Sequence, residues 1–166
     1  MKKEKFLTVY AVLDNCSQQK LAHLQSELFK LGDFGTQTMD IPFHISLGSF
    51  PVEDEQELTK RIEEVSLDYH KFNIKLNRIN HFNDAVLFVE PEITLDLKEL
   101  HNLFDNNYAN GFPWVPHITM FCGNQASVVK AKNVLESNFI PFEAKITSLE
   151  MGEFFPTRLI INRNLQ

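Results

Sequence analysis

One order of elements runs through this chain twice, and any fold must accommodate both copies. FLTVYAVL (6–13) is rich in β-branched and aromatic residues, which predicts a strand. Residues 14–17 carry turn chemistry with Ser17 as a helix N-cap. Leu21, Leu24, Leu28 and Leu31 then recur at helical spacing until Gly32. A loop follows (32–42), holding two glycines and a proline. HISLGSF (44–50) reads as a short strand. Pro51 starts a helix whose buried face carries Leu58, Ile62 and Val65, and Phe72, Ile74, Leu76 and Ile79 mark a strand.

After a turn (80–84) and a strand, AVLFVE (85–90), the order returns. Thr94 caps a helix with Leu97, Leu100 and Phe104 on one face, and 107–116 is a loop. HITMF (117–121) is a short strand. Asn124 caps a helix bearing Val128, Ala131 and Leu135. Phe142, Ala144, Ile146 and Leu149 predict a strand, and 159–162 a last one. His44 and His117 stand 73 residues apart, as do Ala85 and Arg158; Phe72 and Phe142 are 70 apart. KFNIKLNRI (71–79) aligns on PFEAKITSL (141–149) without a gap. No low-complexity linker divides the chain. The expectation is one domain, residues 1–166, made of two pseudo-symmetric lobes.

The two short strands carry chemistry. Residues i and i+2 of a strand share a face, roughly 6.5–7 Å apart. His44 and Ser46 therefore point one way and Ile45 the other. His117, Thr119 and Ile118 repeat the pattern, so each half offers one imidazole and one hydroxyl. Phosphodiester hydrolysis needs a base for water, an acid for the departing alkoxide, and donors for the phosphoryl oxygens. Histidine serves either proton-transfer role near neutrality. A five-membered cyclic phosphate is already strained, so such a site needs no metal. The chemistry is symmetric until the ligand's orientation is known, so the residues alone leave acid and base unassigned.

The net charge is −6. A protein that coats long nucleic acid carries a positive field, so a small nucleotide or the terminus of an RNA suits this chain better. No apolar run approaches the ~20 residues that span a bilayer, and the basic start, Met1 to Lys5, lacks the pattern of a secretory leader. Two cysteines make neither a disulfide framework nor a metal quartet. The reading is a cytoplasmic monomer with no cofactor, no metal and no membrane partner.

PFHISLGSF (42–50) and WVPHITMFCG (114–123) resemble the paired motifs of the two-histidine (2H) phosphoesterase superfamily, in its bacterial 2'-5' RNA ligase and cyclic phosphodiesterase branch. VYAVLD (9–14) is similar to that group's first strand, and ITSLEMGEFFPTRLIINRNL (146–165) to its terminal hairpin. The resemblance implies an α+β fold, two antiparallel sheets facing each other across a groove with helices outside. It implies that His44 donates a proton to the leaving oxygen, that His117 activates water, and that Ser46 and Thr119 hold phosphate oxygens. The substrates it implies are 2',3'-cyclic phosphates of RNA ends or nucleotides, with 2'-5' RNA ligation as a further activity. ADP-ribose cyclic phosphate and 2'-5' oligoadenylates are alternatives on the same site; a nucleotide-binding module with little catalysis is an alternative of another class. The sequence departs from the family in having Ser46 where Thr is commoner, and Met120, Phe121 and Cys122 where many members carry an Arg.

Phe34, Phe112 and Trp114 lie in the two loops that lead into the His strands, and anchoring those loops is favoured over stacking on a base. His23 and His101 are expected at partly exposed helical positions, and both cysteines as buried or inert thiols.

Overall fold

The computed structural model describes residues 4–105 and 113–166; the expectation for Phe112 lies outside them. Seven strands, all paired antiparallel, run β1 (Phe6–Leu13), β2 (His44–Pro51), β3 (Phe72–Phe82), β4 (Val86–Pro91), β5 (Ile118–Cys122), β6 (Phe142–Phe154) and β7 (Arg158–Asn164). Among the described residues there are four α-helices, α1 (Asn15–Phe29), α2 (Glu55–Asp68), α3 (Leu95–Asn102) and α4 (Gln125–Asn138), and a single 3-10 turn (Val52–Asp54) before α2. The fold class is α+β, as expected. Among the described residues no helix is long and apolar enough to cross a membrane.

The two expected sheets are the two ends of one hydrogen-bonded sheet, ordered β2-β1-β6-β3-β4-β5. The joint is β6. On one side it pairs with β1 over most of its length; on the other, its first half pairs with β3 and its second half with β7. Sequence periodicity ended this strand at Leu149, but it continues to Phe154 because Glu150–Phe154 are buried between β1 and β7. The His-bearing strands β2 and β5 are left at the two edges, and those edges approach each other.

β1 explains how one strand serves a core and a site together. Seven of its residues, Leu7 to Leu13, are buried without alternation. Leu7, Val9 and Ala11 join Leu58 and Ile62 of α2 in the apolar core. Thr8 and Tyr10 face the other way. A strand covered on both faces reads as continuous apolar sequence rather than as alternation.

α1 starts earlier than expected, because its N-cap is Asp14 rather than Ser17. The Asp14 carboxylate accepts bonds from the Ser17 amide at 3.0 Å and hydroxyl at 2.7 Å. It also accepts from the Lys145 amide at 2.8 Å, while the Asp14 amide bonds the Lys145 carbonyl, also at 2.8 Å. Burial works against the Asp14 charge, but the bonds from Ser17, Lys145 and Cys16 outweigh it and hold the carboxyl below its usual range. Asp14→Ala is expected to cost about 1–2 kcal/mol in urea unfolding. The wild type's advantage is present above the ordinary carboxylate pKa and is lost as pH falls through the lowered one.

Candidate active site: two bulged edge strands around one groove

The groove has a cavity volume of about 820 Å³. His44 and Ser46 of β2 and Thr119 of β5 line it. His117, one residue before β5, stands close enough for its charge to act on His44. Three of the four residues singled out from sequence line one groove; His117 is not among its lining residues and is placed near it by its electrostatic reach to His44.

The two halves build their contributions alike. The Nδ1 of His44 bonds the Pro42 carbonyl and the Nδ1 of His117 the Val115 carbonyl, both at 2.8 Å and both two residues back. A carbonyl only accepts, so each Nδ1 carries the proton and each Nε2 is the atom left for chemistry. An aromatic ring from the neighbouring strand packs on each imidazole. Tyr10, fully buried, lies 4.5 Å from His44 between centroids; Phe88 lies 5.4 Å from His117, which also meets Phe82 edge-on at 5.0 Å. Burial drives the pKa of His44 down to about 4; the bond to Pro42 opposes this, and the charge of His117 adds to it. Burial also lowers the pKa of His117, against its bond to Val115.

Each strand then carries one extra residue just after its hydroxyl. Tyr10 pairs with Ser46 and Val9 with Gly48, which leaves Leu47 extra. Phe88 pairs with Thr119 and Leu87 with Phe121, which leaves Met120 extra. These are β-bulges, and they reset the alternation. Without the first, Ser49 would face away from Ser46. With it, Ser49 sits opposite Thr8 in the groove wall, the two hydroxyls 3.3 Å apart. Gly48 follows that bulge because a Cβ there would stand 2.2 Å from the Phe104 carbonyl oxygen.

Both bulged carbonyls are bonded by a side chain from a helix of the other half. His101 of α3 meets the Leu47 carbonyl at 2.8 Å, and Gln25 of α1 donates to the Met120 carbonyl at 2.8 Å. The loops cross over as well. Trp114, leading into His117, donates from Nε1 to the Ser46 carbonyl at 3.0 Å, its ring stacked on His101 at 3.8 Å. In the opposite direction, Thr36 and Gln37, in the loop leading to His44, bond the Cys122 backbone at 2.8 and 3.0 Å. Gln25 and His101 escaped the sequence reading, and His101 was placed wrongly. It is 8% exposed because its ring lies between α3 and β2, under Trp114. Nothing in the spacing of either residue marks it.

Of the remaining expectations, Trp114 anchors its loop, and Phe34 is exposed, leaning on Phe29 at 5.2 Å. Cys16 is exposed rather than buried, since it lies in the first turn of α1. Cys122 lines the groove with its thiol pKa raised by burial. Met120 and Phe121 are core residues, and no Lys or Arg is among the described residues that line the groove.

A family model described as the 2'-5' RNA ligase superfamily matches residues 18–154. Solved structures share the fold at low identity. E. coli LigT in its apo form is 15% identical, covers 98% of both chains and has a TM-score of 0.66. E. coli LigT complexed with 3'-AMP is 16% identical over 99% of both chains, with a TM-score of 0.65. A protein of Thermus thermophilus is 14% identical over 96% of this chain and 97% of its own, with a TM-score of 0.64.

Gln25→Leu and His101→Leu each leave a bulge carbonyl without its donor. Each is expected to cost about 1–3 kcal/mol in urea unfolding, with an unchanged dependence on urea concentration.

Proposed function

The chain belongs to the 2'-5' RNA ligase superfamily, and we propose that it is a metal-independent phosphodiesterase that opens 2',3'-cyclic phosphates of RNA ends or nucleotides. The observation that carries this reading is the matched pair of imidazoles. Each is held through Nδ1 by a carbonyl two residues back, and each stands beside a groove-facing hydroxyl. The nucleotide-bound forms of E. coli LigT, with 3'-AMP and with ATP, support a nucleotide as the ligand class.

Water attacks phosphorus in line with the leaving ribose oxygen. His117 takes the water proton on Nε2, and His44 gives its Nε2 proton to that oxygen, so the ring opens to a 2'-phosphomonoester. The role of each histidine follows the family resemblance; burial lowers the pKa of His44 strongly and the charge of His117 opposes its protonation, so the productive form is the minor one in which the phosphate-bound site holds the extra proton on His44. Ser46 and Thr119 donate to the non-bridging oxygens, where negative charge builds. With no lysine or arginine among the described lining residues, the imidazolium is the formal positive charge that meets the phosphate. Ligation of a 2'-5' bond is the same chemistry with a ribose hydroxyl in place of water. The matched constructions around His44 and His117 also support reading the chain as one domain of two pseudo-symmetric lobes.

In the presence of EDTA, purified protein is expected to turn over 2',3'-cyclic nucleotides. His44→Ala and His117→Ala should each reduce kcat by at least about 100-fold; a near-wild-type rate in either variant contradicts the paired scheme. Nucleotide binding without turnover of any cyclic or 2'-5' compound would instead favour a binding module.

The pH profile tests the same site independently. One imidazole must be protonated and the other neutral, and both free-protein pKa values are lowered, that of His44 to about 4. The kcat/KM profile is therefore expected to be a bell peaking between pH ~4 and ~6.5, falling toward pH 8 as the last imidazolium is lost. A maximum above pH 7 would contradict it.

A further inference from the structure

The groove runs well past the phosphate position, and its far wall is aromatic. Phe6, Phe154 and Phe155 line it together with Thr8, Ser46 and Ser49. Phe6 stacks on Phe154 with centroids 5.6 Å apart and 17° between planes; Phe155 meets both rings edge-on, at 6.3 and 5.4 Å. Phe155 is 43% exposed although it lies in the groove wall.

Strand register sets the distance from the chemistry. Ser46 pairs with Tyr10, Ser49 with Thr8, and Phe154 with Phe6. The aromatic cluster is thus four strand residues from the level of Ser46, about 13 Å along β1. That is beyond the base carried by the ribose that bears the phosphate. A 2',3'-cyclic phosphate ends its chain, so the only further nucleotide lies on the 5' side.

Charge near the cluster argues for stacking rather than a second phosphate grip. Lys5 pairs with Glu153 at 2.9 Å, and Arg158 pairs with Glu55 at 3.1 Å and Glu153 at 3.5 Å, so both neighbouring cations are already matched by carboxylates. At the other end of the groove, Gln18 and Gln25 are committed to backbone atoms of residues 13, 43 and 120. Phe43, Met39 and Ile41 also line the groove, Phe43 packed against the core; the cluster of Phe6, Phe154 and Phe155 is where several rings meet, and such a surface suits a base of any identity.

We propose that Phe155 and Phe6, backed by the buried Phe154, form a subsite for the base of the penultimate nucleotide, which makes an oligonucleotide end rather than a mononucleotide the preferred substrate. This rests on the reading of the groove as a cyclic phosphodiesterase site and adds the substrate class to it.

The test compares kcat/KM for uridine 2',3'-cyclic phosphate with that for the dinucleotide ApU ending in the same cyclic phosphate. The wild type is expected to prefer the dinucleotide by about ten-fold, the order of one base stacked on an aromatic ring. Phe155→Ala should cut that ratio by about the same factor, and Phe155→Trp should retain it. Equal turnover of the two substrates by the wild type, or a Phe155→Ala variant that slows both in proportion, overturns the subsite and leaves the phosphodiesterase reading intact. If neither is turned over, the phosphodiesterase reading fails, and calorimetry with ApU 3'-phosphate and uridine 3'-phosphate decides the subsite. Tighter dinucleotide binding, lost in Phe155→Ala, supports it; equal binding overturns it.

Discussion

The histidine-bearing strands lie at the two edges of the sheet, and an edge strand presents backbone groups with no strand to pair them. Everything about the groove depends on how those edges are held. Neither is covered by its own half. Leu47 and Ser46 on β2 are bonded by His101 and Trp114, which lie in the helix and the loop that precede β5. Met120 and Cys122 on β5 are bonded by Gln25 and by Thr36 and Gln37, which lie in the helix and the loop that precede β2. A bulge frees a carbonyl from the ladder, so each bracing side chain meets an acceptor that the sheet has left over. The bulge and its brace belong together: the first aims the wall residues into the groove, and the second stops the kinked strand from straightening.

That arrangement bears on the electrostatics. Both imidazoles rest against rings and have lowered pKa values, so the free groove is nearly uncharged at neutral pH. A phosphodiester carries a single negative charge, and its arrival favours protonation of an imidazole. On the proposed reading, the groove would acquire its cation when the anion is there to meet it. Tyr10 lies behind His44, fully buried. Burial and the Glu150 carboxylate raise its phenol pKa and keep it neutral, while its ring backs His44; Glu150 itself is bonded by Asn162 at 2.6 Å.

Much of this was legible in the sequence. The two motifs, the caps at Thr94 and Asn124, and the order of strands and helices follow from spacing and capping chemistry. What escaped depends on contacts far apart in the chain. HISLGSF reads the same with or without a bulge, because only pairing with β1 makes Leu47 extra. His101 has the polarity of a surface residue, and only the Leu47 carbonyl and the Trp114 ring explain its burial. The Asp14 cap was missed because Ser17 has the same preference for that position; the Lys145 amide, 131 residues away, completes the carboxylate's partners. Phe154 and Phe155 lie beyond the last alternating residue, so periodicity gave no reason to look for a groove wall there.

The pattern of bracing also favours the proposed two-lobed construction over an accidental pairing of similar motifs. In a two-fold dimer, if residue i of one copy touches residue j of the other, then j of the first touches i of the second. Leu47 and Met120 are equivalent in the 73-residue frame, and Gln25 and His101, from helices at like places though not at equivalent positions, approximate that form inside one chain; the crossed bonds from Trp114 and the 36–37 loop follow it in direction only. Two strands that had converged on a His-x-Ser/Thr pattern separately would have no reason to share a bulge at the same place and a donor of matching origin on each bulge. On the two-lobed reading, each lobe carries the brace for the other's His-bearing strand.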